Sequence, residues 1–171
     1  VLALDPEITV THIFSPEHGY RGDAEAGHAV ASEGGDLPVT SLYGKRTQPT
    51  RQELADVDLF VVDLQDIGAR YYTYMATMRE CMAACAKAGV TVLVLDRPNP
   101  LGGTILEGPI ATVTDSPVCC APVPVRHGMT LGELALLFRA TEFRGTGLKV
   151  KVSRADNWPR DLRFPACALP W

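Results

Sequence analysis

Leu59-Phe60-Val61-Val62-Asp63-Leu64-Gln65-Asp66-Ile67-Gly68-Ala69-Arg70-Tyr71-Tyr72 is an apolar run that ends in a cluster of ionisable and aromatic side chains. Its apolar part is continuous rather than alternating, as in strands buried on both faces of a parallel sheet. The same pattern occurs twice more. Ile8 to Phe14 runs into Ser15-Pro16-Glu17-His18-Gly19-Tyr20-Arg21-Gly22-Asp23, and Val90 to Leu95 runs into Asp96-Arg97-Pro98-Asn99-Pro100. In an open α/β sheet the carboxyl ends of parallel strands form the crevice where ligands bind. If these runs are neighbouring parallel strands, the three clusters meet in one polar pocket.

The segments between them supply helices. Tyr71, Tyr74, Met75, Met78, Met82 and Cys85 recur at helical spacing, so Tyr71 to Ala88 reads as a helix with Gly89 as its C-cap. That Met and Tyr stripe reads as core rather than as a cofactor box. Thr50-Arg51-Gln52-Glu53 and Thr130-Leu131-Gly132-Glu133 have capping-box spacing. They predict a short helix ending near Val57 and a second running to about Ala140. Leu37 to Leu42 is a weaker extended segment, with Pro38 marking an edge strand or a strand start. Pro122 to Val125 is a short extended piece, and Lys149 to Ser153 alternates like a strand with one wet face. The order predicts a Rossmann-like, doubly wound α/β fold with a mostly parallel sheet flanked by helices. The Gly- and Pro-rich loop from Arg97 to Pro109 is long enough to carry function.

Length and composition narrow the classes. The chain has 171 residues, 46% hydrophobic and 21% charged, a globular balance able to bury one core. A net charge of -4 with no basic stripe argues against a nucleic-acid partner. No apolar run approaches the roughly 20 residues of a membrane span. The start at Val1 and the stop at Leu169-Pro170-Trp171, with no closing element, read as those of a fragment. Cys81, Cys85, Cys119, Cys120 and Cys167 contain no Cys-x-x-Cys and read as buried thiols. There is no G-x-G-x-x-G, P-loop or G-x-S-x-G, so no cofactor is expected. His18, His28 and Asp23 match no standard ligand spacing, so no metal is expected either.

Each cluster has a chemical and an ordinary reading. Glycines around Glu17, His18, Arg21 and Asp23 let the backbone fold tightly, and partial burial would raise the Glu17 pKa and keep it protonated as a general acid. The ordinary alternative is a solvated surface turn with an Arg–Asp pair. Asp63 and Gln65 would share one strand face, where the aspartate needs a partner. Asp66 caps the following helix or faces the crevice, and Arg70 holds an aspartate or a ligand. In the third cluster, Asp96, Arg97 and Asn99 form either a sugar- or amide-binding loop or a structural turn. Arg126 and His127 precede a helix N-terminus, a place that favours anions.

Five strings carry a resemblance beyond these patterns. They are Phe14 to Gly22, Tyr43-Gly44-Lys45-Arg46-Thr47-Gln48-Pro49-Thr50, Asp63 to Tyr74, Asp96-Arg97-Pro98-Asn99-Pro100 and Val125-Arg126-His127-Gly128-Met129-Thr130. In order and spacing they resemble the bacterial exo-β-N-acetylmuramidases, glycoside hydrolases long classed as a domain of unknown function. The resemblance implies release of terminal β-linked N-acetylmuramic acid from peptidoglycan fragments, in cell-wall turnover and recycling, with a muropeptide or disaccharide as substrate. It implies that residues 1–171 are most of a Rossmann-like catalytic domain, without the family's first strand and its smaller C-terminal domain. It further implies a secreted or periplasmic protein.

Glycosidic cleavage uses a protonated carboxyl at the leaving oxygen and a second group opposite. Glu17 is the expected acid, and Asp66 or Asp63 the base or electrostatic partner, unless the substrate's acetamido group takes that part. Arg21, Arg70, Arg97 and Arg126 are expected to grip the lactyl carboxylate. His18, Gln65, Tyr72, Asp96, Asn99 and His127 complete the expected substrate site. A non-catalytic muropeptide-binding domain and a metal-dependent hydrolase or deacetylase are the alternatives.

Overall fold

The structure is a computed structural model and describes residues 5–28, 30–32 and 37–166. The expectations for Val1, Cys167 and Leu169-Pro170-Trp171 concern residues outside these. Among the described residues, five strands and two helices follow in order: β1 (Ile13–Ser15), β2 (Val39–Ser41), β3 (Leu59–Val62), α1 (Tyr74–Ala88), β4 (Thr91–Leu95), α2 (Leu131–Ala140) and β5 (Val150–Ser153). A 3-10 turn, Phe164–Ala166, ends the described chain. All strand pairings are parallel, which makes this the expected α/β architecture.

The strands form two hydrogen-bonded groups, β1-β2 and β3-β4-β5. Phe60 stands opposite Val92, and Val62 opposite Val94. The expected run of three neighbouring strands therefore holds for β3 and β4, but β1 pairs with β2 instead. Phe14 on β1 reaches across, its ring stacked on Phe60 of β3 with centroids 5.7 Å apart. Pro38 precedes β2 and offers its carbonyl to the Ile13 N–H, the strand-start role its missing donor allows.

Helices α1 and α2 pack against each other and against β4. Met75, Met78, Met82 and Cys85 are fully buried on α1, so the methionine part of the stripe is core, together with Val92, Val94 and Leu134, whereas Tyr71 is exposed ahead of the helix and Tyr74 is partly buried. Burial pushes the Cys85 thiol up to about 12 and the Cys120 thiol up to about 11. Cys81, Cys85, Cys119 and Cys120 are all free. Among the described residues no helix is long and apolar enough to cross a membrane.

Helix boundaries follow their caps. At the N-terminus of α2, Thr130 and Glu133 make the full reciprocal capping box. Gly89 closes α1 in the left-handed conformation at φ 77°. Helix α1 starts three residues later than its periodicity suggests. The preceding segment is held elsewhere: the Arg70 N–H donates to Val125 O, and the Tyr72 N–H to Ala69 O.

The predicted helix at Thr50 does not form. Its box exists, with the Glu53 N–H on Thr50 Oγ1 at 3.2 Å and the Thr50 N–H on Glu53 Oε2 at 2.7 Å. The chain nevertheless makes successive turns over residues 51–56, since so short a segment cannot recover the cost of helix nucleation. The Glu53 carboxylate also binds the Arg46 guanidinium at 2.8 Å. Burial raises its pKa, but the bonds from Arg46 and Thr50 outweigh this and bring it to about 2. A pKa depressed on folding stabilises the protein above the unfolded value near 4.5, and that contribution is lost as pH falls toward 2. Glu53→Gln is therefore expected to lose less stability than wild type between about pH 7 and about pH 3. Urea titrations at both pH values check this, and equal losses in the two proteins would contradict it.

Candidate active site

The turn after β1 carries a buried carboxylate, Glu17. His18 and Gly19 both adopt left-handed backbone, at φ 71° and 77°. That conformation is strained for histidine, and it is held by Nδ1 to Ala24 O at 2.8 Å and by the Ala24 N–H to His18 O at 3.1 Å. The turn directs Glu17 inward, where it is 7% exposed. Oε1 accepts the Gly27 N–H at 2.8 Å, and Oε2 accepts the Thr73 hydroxyl at 2.6 Å. Tyr43 adds a third donor. Burial pushes the Glu17 pKa up, but the bonds from Thr73, Gly27 and Tyr43, with the charge of His18, leave it below the ordinary glutamate value. This reverses the expectation of a pKa raised by burial, because the site contains donors as well as apolar surface.

Aromatic rings extend this cluster. The Tyr74 hydroxyl donates to the Glu17 carbonyl at 3.2 Å, and the Tyr72 and Tyr74 rings lie 4.5 Å apart. His18 stacks on Tyr72 at 6.2 Å. The Tyr72 phenol is pushed far up, first by burial, then by its bond to Tyr74 and the negative charges of Tyr74, Asp66 and Glu17. Tyr72 thus stands within the field of both carboxylates.

Asp66 lies in the segment after β3, 4% exposed, with Oδ2 accepting the Gly68 N–H at 2.7 Å. This is a local turn bond rather than a cap on α1. His127 is equally buried, and its Nε2 is 3.3 Å from Asp66 Oδ2. The Met129 N–H points at His127 Nδ1 from 3.2 Å, so in the neutral ring the proton sits on Nε2, on the aspartate side. The alignment falls outside hydrogen-bond geometry. His127 Nε2 is thereby buried without a hydrogen-bond partner among the described residues, and so, separately, is Oδ1, the other oxygen of Asp66.

A cavity of about 390 Å³ adjoins the Glu17 cluster, lined in part by Gly27, Tyr43, Thr47, Thr73, Thr77 and Glu80. Gly27, Tyr43 and Thr73, which both hold Glu17 and wall the cavity, are not among the site residues expected from sequence. Tyr43 and Thr73 do lie in the strings that carry the family resemblance, and Thr73 is also a hydroxyl at the start of a helix. Among the described residues no group of three or more His, Cys, Asp or Glu is placed to hold a metal ion.

The whole chain, residues 1–171, matches the family model described as exo-beta-N-acetylmuramidase NamZ, N-terminal. The chain belongs to this family. The peptidoglycan beta-N-acetylmuramidase NamZ of Bacillus subtilis (strain 168) is 45% identical over 175 residues, covering 100% of this chain and 42% of that protein. Crystal structures of two DUF1343 family proteins from Bacteroides fragilis NCTC 9343 are similar to it. One superposes with a TM-score of 0.86 at 37% identity, over 99% of this chain and 44% of its own. The other has a TM-score of 0.73 at 36% identity, over 91% of this chain and 42% of its own. The chain thus spans less than half the length of these family members.

The remaining residues expected from the family resemblance divide by what they touch. Arg97 pairs with Asp63 at 2.7 Å, both about half-exposed. Gln65 donates to Asp66 O and Pro98 O, tying the β3 and β4 ends together. Asp96 accepts the Thr130 hydroxyl at 2.7 Å and the Gly132 N–H at 2.8 Å, anchoring the start of α2. Both ends of the buried Asn99 amide are engaged, by Met129 O and the Leu101 N–H. Arg70 donates to the carbonyls of Pro109 and Val123, and Arg126 pairs with Glu107 at 2.6 Å and binds Leu101 O. Arg21, exposed in the Glu17 turn, makes no hydrogen bond or ion pair to another described residue.

The two strand-end aspartates should therefore differ in their effect on stability. Asp63→Ala removes one half-exposed pair, worth about 0–1 kcal/mol. Asp96→Ala removes two bonds at a helix start, worth about 1–3 kcal/mol. Urea midpoints of both variants check the ranking, and a larger loss for Asp63→Ala would overturn it.

Proposed function

We propose that this chain carries the acid–base centre of an exo-acting glycosidase that releases terminal β-linked N-acetylmuramic acid from peptidoglycan fragments. The observation that carries the reading is Glu17: a buried carboxylate at a strand end, held by three donors beside a cavity of sugar-binding size, in a family named for this activity. Residues 1–171 are the Rossmann-like catalytic portion, and a smaller C-terminal domain completes the cleft. The substrate belongs to the cell wall, and the protein acts in a secreted or periplasmic setting.

Glu17 protonates the glycosidic oxygen as the bond to the leaving sugar breaks. Asp66 is the second group. Its carboxylate acts on the same tyrosine as that of Glu17 and faces a buried imidazole, whereas Asp63 is half-exposed and neutralised by Arg97. Arg21 is the grip for the lactyl carboxylate, since Arg70, Arg97 and Arg126 already hold carbonyls or carboxylates within the protein.

In the full-length native protein, Glu17→Gln is expected to cut release of the terminal sugar from a chromogenic β-N-acetylmuraminide by about 10²–10⁴-fold, with an unchanged circular dichroism spectrum. Near-normal turnover would remove Glu17 from the acid role. Wild-type protein that binds the muraminide without any turnover would favour the muropeptide-binding module instead.

Arg21→Ala should raise KM for the muraminide by about tenfold, the loss of one charged hydrogen bond, with kcat retained. An unchanged KM would show that Arg21 does not meet the carboxylate.

A further inference from the structure

Glu17 faces the adjoining cavity only through its own partners. The hydroxyl-bearing residues that hold its carboxylate, Thr73 and Tyr43, are also walls of the cavity, as is Gly27. Thr73 occupies the N-cap of α1, yet its side chain makes no capping bond. A threonine there ordinarily gives its oxygen to the helix N–H groups, a bond worth about 1 kcal/mol. Here the hydroxyl turns outward from the helix and donates to Glu17 Oε2 at 2.6 Å. A helix-stabilising contact is forgone for a bond to one carboxylate.

That arrangement conflicts with the task of an acid. A carboxylate that accepts three donors is stabilised in its charged form, whereas protonating a glycosidic oxygen requires the neutral form. The remaining groups facing Glu17 are His18 from its own turn and Tyr72 and Tyr74 from the start of α1. None of these three supplies a negative charge at neutral pH that would drive proton uptake, and Glu80, the carboxylate on the cavity wall, is engaged by Gln48 and Arg79. What changes on binding must therefore come from the cavity side.

We propose that Thr73 and Tyr43 form a hydrogen-bond latch: with the cavity empty their hydroxyls hold Glu17, and a pyranose entering the cavity takes those hydroxyls onto its own oxygens and frees Glu17 to become a proton donor. Glu17 then takes one proton from solvent and passes it to the leaving oxygen as the glycosidic bond breaks, returning to a carboxylate. The oxygen of a water molecule bonds to the anomeric carbon, and that water gives one proton back to solvent. Thr73 and Tyr43 are positioning residues in this scheme. The latch deepens the glycosidase reading and rests on it. It makes the acid form of Glu17 conditional on an occupied cavity.

The test is a carbon-13 NMR titration of full-length native protein labelled at glutamate Cδ, with Glu17→Gln identifying the signal. Ligand-free wild type is expected to titrate below the ordinary glutamate range, and saturating N-acetylmuramic acid to move Glu17 upward. Thr73→Val should shift the ligand-free titration upward by about one to two pH units, the worth of one hydrogen bond to a charged group, while Thr73→Ser stays at wild type. If Thr73→Val does not fold, Tyr43→Phe tests the same latch from the cavity side. A titration unmoved by both the sugar and the variant overturns the proposal. Because the signal is read without turnover, the two readings fail separately. A sugar that moves Glu17 with no hydrolysis supports the latch and sinks the glycosidase, whereas hydrolysis with an unmoved Glu17 sinks the latch.

Discussion

The bond from the Thr73 hydroxyl to Glu17 Oε2 joins two parts of the molecule that no strand pairing connects among the described residues. Glu17 follows β1, whose described partner is β2, and Thr73 leads into α1, which packs on the β3-β4-β5 group. Phe14 on Phe60 supplies apolar contact across the same boundary, but apolar contact has no fixed direction. A buried carboxylate does, because it is costly unless each oxygen meets a donor in the right place. Oε1 is met by the Gly27 N–H and Oε2 by Thr73, so the Glu17 turn, the 24–28 segment and the start of α1 are placed relative to one another by one side chain. The Tyr74 hydroxyl on the Glu17 carbonyl adds a second tie at the same point.

The other strand ends divide their charges differently. Asp96 serves the fold, since its two oxygens hold Thr130 and Gly132 where the dipole of α2 favours a negative group. Arg70 draws the 101–125 loop onto the segment after β3 by donating to the carbonyls of Pro109 and Val123, and Arg126, at the end of that loop, folds it back on itself by binding Leu101 O and Glu107. That loop has little regular structure of its own, so its backbone groups need such partners. Guanidinium groups suit the work, because one planar fork can reach several acceptors at once. These cations are thereby engaged within the protein, whereas the exposed Arg21 makes no hydrogen bond or ion pair to another described residue.

Much of this was readable from residue pattern, and the gaps have physical causes. The α1 stripe, the Gly89 cap, the Thr130–Glu133 box and the parallel β3–β4 pair all depend on local spacing, which a sequence displays directly. Thr50–Glu53 had the same local signal, but a cap contributes only about 1 kcal/mol and cannot make a helix without a packed face behind it. Glu17 stood out because it lies amid glycines at a strand end. Its pKa direction did not, because the donors that set it come from positions 27, 43 and 73, which only the tertiary fold brings together. The division of the arginines was hidden for the same reason: whether a guanidinium meets a carbonyl or a solvent-facing gap depends on loop paths that lack periodicity.

The Asp66–His127 pair shows where burial and hydrogen bonding part company. Both side chains are excluded from solvent, yet Oδ1 of one and Nε2 of the other lack a partner among the described residues. Leaving a buried polar atom unmet costs about 1–3 kcal/mol, so a structure keeps such a pair only against some gain. The bond from the Met129 N–H fixes which ring nitrogen carries the proton, and the Gly68 N–H fixes one carboxylate oxygen. The Met129 N–H holds the imidazole from the side away from the aspartate, whereas the Gly68 N–H holds Oδ2, the carboxylate oxygen nearest His127. Oδ2 thus accepts its hydrogen bond from a local turn, and the imidazole beside it is left with a charge contact only. Glu17 is the opposite case, with a hydrogen bond on each carboxylate oxygen. Two buried carboxylates thus differ in how fully they are met, because Gly27 and Thr73 bring donors to both oxygens of Glu17, whereas Gly68 brings one to Asp66.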